Sequence, residues 1–208
     1  KKKKILLKDL KKKIYFLKKL PRAIPYVTSY YKKDWGFCMS FNQFKELKDK
    51  KYKVQIESYF KRGKMHFGEI FIRGKSKKEI LISTYICHPS MANNELSGPC
   101  LSIFLSKWIQ KKKRRYSYRF LFITETIGAI SYIHQNKIKL KKNIISGLVV
   151  TCVGDNNSYS FLASRKGNGI LDKIILEELK KNKIKYKKYD WLQRGSDERQ
   201  YCWPNLDL

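Results

Sequence analysis

From Glu79 onward the chain alternates short, nearly continuous apolar runs with longer stretches in which apolar residues recur every three or four positions. Ile80–Cys87, Arg119–Thr124 and Ile144–Val153 read as buried strands, with Tyr159–Ala163 as a further one. Between them, residues 98–112, Ile127–Gln135 and Asn168–Lys181 carry helical spacing. Ser97 is placed to cap the first helix, whose Leu101, Phe104, Leu105, Trp108 and Ile109 are expected to face inward. The last helix is expected to turn Ile170, Leu171, Ile174, Ile175 and Leu179 inward. Strands alternating with helices of this length predict right-handed βαβ units: an α/β fold with a mainly parallel sheet and flanking helices.

The first 78 residues have another texture. Residues 5–20 are apolar at helical intervals between lysines and predict a short basic amphipathic helix, closed by Pro21 and packed on the α/β core. Residues 21–40 are loop-like and aromatic, including Pro25–Tyr31 and Trp35–Cys38. Val54–Phe60 alternates, and Phe67–Ile72 follows an Arg62-Gly63-Lys64 turn, which together predict an antiparallel hairpin. The organisation expected is therefore a helix over 1–20 belonging to the core, a small β-rich inserted subdomain over 21–78, and an α/β domain over 79–208. The chain starts with lysines rather than Met and is read as a fragment, truncated at its C-terminus. No internal repeat is visible.

Composition narrows the function only a little. With 208 residues, 42% hydrophobic and 14% aromatic, the chain has material for a full core. No apolar stretch approaches the roughly 20 residues that span a bilayer. The net charge of +30 invites a nucleic-acid reading, but only nine of the 47 basic residues are Arg. Lysine lacks the bidentate fork that dedicated nucleic-acid readers use. The lysines are spread through every segment, so a solvated surface with no specific nucleic-acid partner is expected, and a lysine-rich nucleic-acid-binding module stays as an alternative. The five cysteines (38, 87, 100, 152 and 202) include no Cys-x-x-Cys pair. Four of them read as small buried apolar residues, and the set fits a reducing cytoplasm.

Chemistry enters at the strand ends. His88, Glu125 and Asp155 each follow the carboxyl end of a predicted strand, the edge where open α/β sheets place their sites. Singly, each has an ordinary structural explanation: a loop histidine, a favourable charge at a helix N-terminus, and a turn former. Jointly, on parallel neighbours, an imidazole and two carboxylates meet at one edge. His66 and His134 have no such context and are read as structural.

The strings Ile24–Ser29, Trp35–Cys38, Ser83–Pro99, Phe122–Ile130 and Gly195–Cys202 carry a resemblance. In that order they resemble the bacterial zinc aminopeptidases of the leucyl-aminopeptidase and glutaminyl-cyclase superfamily. They look closer still to a bacterial group of aminopeptidase-like proteins associated with surface-polysaccharide genes. The resemblance implies that His88 is a metal ligand and Glu125 the general base. The bridging Asp of the enzymes falls on Asn94, the ligand Glu after the base on Thr126, and the third-strand carboxylate on Thr151, with Asp155 four residues on. A final His ligand would lie beyond Leu208. The expectation is one zinc ion held by His88 and by Asn94 or Glu95, since a second metal would need anionic bridges that Asn94 and Thr126 do not offer. Asp197, Glu198 and Arg199 lie in a string whose counterpart borders the active site, and they are expected to hold a substrate's amino or carboxylate terminus. The implied activity is metal-dependent hydrolysis of an amide bond in a small peptide or amide. The alternative is a degenerate relative that binds a peptide or amino-sugar ligand without turnover.

Overall fold

The computed structural model describes residues 2–27, 33–59, 61–88, 91–206 and 208. Thr28–Tyr31 of the aromatic loop, Phe60, and the Pro89-Ser90 pair that follows His88 lie outside the described residues. Two compact units divide the chain, Lys1–Gly63 and Lys64–Leu208.

The first unit holds strand β1 (Lys2–Leu6), helix α1 (Leu7–Leu10), a 3₁₀ turn over Lys11–Lys13, β2 (Ile14–Tyr15), β3 (Phe37–Cys38), α2 (Phe41–Lys45) and β4 (Lys51–Gln55). β1 pairs antiparallel with β4, and β2 pairs parallel with β3. The helix expected over residues 5–20 is thus mostly replaced by strand and turn, and this segment belongs to the first unit rather than to the α/β core. Helical spacing survives only where it is used, at the buried Leu7, Leu10 and Ile14. Outside that stripe most of the lysines are exposed, and backbone pairing of β1 with β4 and of β2 with β3 decides the conformation.

The expected hairpin does not form either. Val54 pairs with Lys3, whereas β5 (Gly68–Ile72) pairs antiparallel with β7 (Ser117–Ile123) of the second unit. Both segments have the alternation of strands, but each finds its partner far away in sequence. The boundary therefore falls after Gly63, not at residue 78.

The second unit continues with β6 (Glu79–Tyr85), α3 (Ala92–Glu95), α4 (Ser97–Gln110), β7, α5 (Ile127–Asn143) and β8 (Ile144–Val149). After them come β9 (Tyr159–Leu162), α6 (Ile170–Lys181), β10 (Tyr186–Tyr189) and α7 (Glu198–Tyr201). The main sheet has the order β5-β7-β6-β8, with β6 parallel to both neighbours, while β9 and β10 form a separate parallel pair. The expected α/β fold with a mainly parallel sheet is present.

Alternation along β6 and β7 separates the two sheet faces. Leu81, Leu121 and Ile123 pack with Ala129, Tyr132 and Leu140 of α5, and Ile82, Phe120 and Phe122 pack with Ile109 of α4. The two crossover helices therefore cover opposite faces. The connections leaving the adjacent strands β6 and β7 diverge, which opens a crevice at their carboxyl ends.

α4 meets the sheet on only part of the expected face, since Leu105 and Ile109 pack inward as expected and the other three do not. Gly98, Ser102, Ser106 and Ile109 face inward, while Leu101, Phe104 and Trp108 are 47%, 73% and 58% exposed. Close approach dictates this choice. A Cβ at Gly98 would lie 2.3 Å from the Val150 carbonyl and 2.4 Å from Thr84 Oγ1. On α6, Ile170 and Ile174 are likewise exposed, and the first turn instead buries Asp172, which accepts the Ser164 backbone N–H at 2.9 Å.

A charged cluster ties β5, β6 and β7 together beneath α5. The buried Arg119 guanidinium meets Glu69 at 2.6 Å and Glu79 at 2.7 Å, and the Tyr132 hydroxyl donates to Glu69 at 2.5 Å. Burial alone would push Glu69 upward, but the Tyr132 hydroxyl and the Arg119 guanidinium hold it below the usual carboxylate range. Arg119→Met leaves two carboxylates without their cation and is expected to lower stability by about 3–5 kcal/mol, read from urea unfolding.

Candidate active site

Beyond β6 the chain runs through Ile86 and Cys87 to His88. Ile86 keeps the pairing going by donating its N–H to the Ile123 carbonyl at 2.8 Å. The next backbone N–H, that of Cys87, donates to the carboxylate of Glu95, a buried residue of α3. Glu95 thus fixes the loop that presents Cys87 and His88.

Beyond β7, Glu125 opens a tight reversal. Thr126 has φ 61° and ψ −71°, and the Ile127 N–H donates to the Glu125 carbonyl at 2.7 Å. This is a γ-turn of the rare positive-φ kind, strained for a β-branched residue. The Thr126 N–H donates to Asp197 Oδ1 at 2.7 Å, so an acid 71 residues away holds the strained unit in place. Ser196 adds a second clamp, its hydroxyl donating to Glu125 Oε1 at 2.7 Å.

These two strand ends bring Cys87 Sγ, a His88 ring nitrogen and a Glu125 carboxylate oxygen within 4.8 Å of one another. Ligands around a single zinc at 2.0–2.3 Å stand roughly 3.3–3.8 Å apart, so a small closure suffices. Asn94 Oδ1, Glu95 Oε1 and Asp197 Oδ2 are buried with no hydrogen-bond partner among the described residues. A donor set of thiol, imidazole and carboxylate with spare acceptors nearby fits a metal ion.

The sequence-derived candidates separate clearly. His88 and Glu125 come together; Asp155 does not join them. Its carboxylate accepts from Asn93 Nδ2 at 2.9 Å and from the Asn157 N–H, and those bonds keep it below its ordinary value. Asn94 donates through Nδ2 to the Tyr85 hydroxyl at 3.0 Å and to Cys152 Sγ at 3.5 Å, which leaves its carbonyl oxygen unengaged. Thr151 also reaches the Tyr85 hydroxyl, at 2.5 Å. Burial pushes that phenol up to about 12 despite both hydrogen bonds.

The trio expected at a substrate terminus is mostly self-contained. Asp197 is fully buried on Thr126, Glu198 accepts the Ser196 N–H at 2.7 Å, and the exposed Arg199 donates to the Arg194 carbonyl at 3.1 Å. His66 and His134 are exposed and outside the cluster.

Cys87 is the site residue that the apolar reading of the cysteines missed. None of the five cysteines is buried. The available signal was position: Cys87 adjoins His88 beyond the last ladder pair, where side chains no longer alternate strictly between faces. Burial, together with the charges of Glu125, Glu95 and Asp197, pushes its thiol up, while the Glu125 backbone N–H directed at the sulfur opposes this.

A family model matches residues 14–208. The chain belongs to the family described as a domain of unknown function, DUF4910. A relative from Clostridium acetobutylicum, named "Putative polysaccharide biosynthesis protein with aminopeptidase-like domain", is 44% identical over 202 residues, covering 97% of this chain and 46% of its own length. A crystal structure of a "putative peptidase" from the same organism superposes with a TM-score of 0.79 at 43% identity, covering all of this chain and 49% of that one. The chain therefore spans about half the length of the relatives it matches. The resemblance to aminopeptidase-like proteins is borne out, and the fold is similar to that of the solved putative peptidase.

Two expectations follow for this member of DUF4910. Burial, with the charges of Glu125 and Glu198, raises Asp197 from 3.8 to about 7, although the Thr126 N–H pulls the other way. A carboxyl raised in the folded state contributes stability that is complete below the ordinary carboxylate value and lost as pH rises through about 7. Urea unfolding should therefore show stability falling between pH 4 and 7, and Asp197→Asn should flatten that slope. Thr126→Gly releases the β-branched side chain from positive φ and is expected to raise stability by about 1 kcal/mol, read as a higher unfolding midpoint.

Proposed function

We propose that this chain carries the catalytic residues of a metal-dependent hydrolase that cleaves an amide bond in a small peptide or amide. His88 and Asn94 are metal ligands, and Glu125 is the general base. The observation that carries this reading is the meeting of the His88 imidazole and the Glu125 carboxylate, within 4.8 Å, at the carboxyl ends of neighbouring parallel strands. A bound zinc ion supplies Lewis acidity, which polarises the scissile carbonyl and acidifies a water.

The chain's own groups do the rest. Ser196 holds one oxygen of the Glu125 carboxylate, so its aim is set before substrate arrives. The carboxylate accepts the proton of the attacking water and returns it to the leaving amine. On this reading Glu198 and Arg199, two and three residues past Ser196, hold a substrate's terminus, while Asp197 is spent on the Thr126 N–H. A reducing, cytoplasmic setting is part of this reading, since the five cysteines include no Cys-x-x-Cys pair. No helix among the described residues is long and apolar enough to cross a membrane.

A second reading has its own support. Asn94, Thr126 and Thr151 are neutral, and Asn94 and Thr151 share the Tyr85 hydroxyl. Such a polar network suits a binder of a peptidyl or amino-sugar ligand that does not turn it over, which would match the polysaccharide biosynthesis named for the relative.

Metal analysis and amidase assays on the full-length polypeptide decide between them. Hydrolysis predicts roughly one zinc per chain, and Glu125→Gln lowering kcat by about 10²–10⁴ with metal content unchanged. A zinc-free protein, or activity indifferent to Glu125→Gln, overturns the hydrolase.

A further inference from the structure

The two ligands assigned above, an imidazole and an amide carbonyl, are both neutral. A divalent cation in a partly buried pocket needs an anionic partner, because neutral groups alone leave its charge facing a poorly screening medium. The carboxylates beside the cluster are each held on one oxygen. Glu125 Oε1 takes the Ser196 hydroxyl, Asp197 Oδ1 takes the Thr126 N–H, and Glu95 takes the Cys87 N–H.

Cys87 differs from them. Its Sγ stands within 4.8 Å of both the His88 nitrogen and the Glu125 oxygen. Close by, Glu95 and Asp197 are more than nine-tenths buried and each has an oxygen with no hydrogen-bond partner. Glu95, whose other oxygen holds the Cys87 N–H, has this spare acceptor beside the thiol, which favours a cation there.

We propose that Cys87 is an anionic ligand of this metal centre, beside His88 and Asn94, with Glu125 facing the open position. The inference rests on the hydrolase reading for the existence of the metal and adds the ligand that reading lacks. On binding, the Cys87 S–H bond is exchanged for a sulfur–metal bond, and the proton leaves to solvent. The thiolate makes the centre selective for zinc-like ions over magnesium or calcium, and open to inactivation by thiol oxidation.

Cobalt(II) is the probe, titrated into metal-free full-length protein and followed by absorption spectroscopy. The expected result is visible cobalt bands together with a near-ultraviolet sulfur-to-cobalt charge-transfer band. That band should be lost in Cys87→Ser and kept in Cys152→Ser. Cobalt bound without a sulfur band in the unmodified protein, or a band that survives Cys87→Ser, overturns the assignment and leaves the hydrolase standing. No cobalt bound at all overturns both.

Discussion

The parallel pairing of β6 with β7 is the constraint on which the rest of this molecule depends. Its ladder runs in register from Glu79↔Ser117 to Tyr85↔Ile123, and the Ile86 N–H extends it by one more bond. Two strands that end level must release their next residues side by side. Because α4 and α5 leave on opposite faces, neither helix covers the gap between them. His88 and Glu125 meet there because strand length, register and crossover direction agree, although the two residues lie 37 positions apart in sequence.

Position alone would leave two mobile loops. Buried acids from elsewhere convert them into fixed groups: Glu95 binds the Cys87 N–H, and Asp197 binds the N–H inside the Thr126 γ-turn. Both are carboxylates held out of water, and Asp197 carries the cost as a pKa raised to about 7. A strained turn clamped by a desolvated acid is costly for folding, and such costs concentrate where geometry serves chemistry. Arg119 plays the complementary part deeper in the sheet, where a paired cation locks β5 and β6 onto β7.

Much of this was legible in the residues. The strand–helix alternation after Glu79 and the placement of His88 and Glu125 after strands follow from periodicity, because a buried parallel sheet needs long apolar runs. What could not be read has physical causes. The N-terminal segment and the two strands of the expected hairpin depend on partners distant in sequence, which local alternation does not encode. The exposed stripe of α4 is more apolar than its buried stripe, since Gly98, Ser102 and Ser106 serve close approach rather than hydrophobicity. Cys87 resembled any small apolar residue until the strand end placed it beside an imidazole and a carboxylate. Asp197 read as a residue that holds a substrate terminus, whereas its partner, the Thr126 N–H, is a backbone group that side-chain patterns do not reveal.

The most direct test of the account is anomalous diffraction at the zinc edge from crystals of the full-length polypeptide grown with zinc. The account predicts a single strong peak at the carboxyl ends of β6 and β7, within bonding distance of the His88 ring and beside the Glu125 carboxylate. A peak found only at the exposed His66 or His134, with nothing between residues 88 and 125, would contradict it.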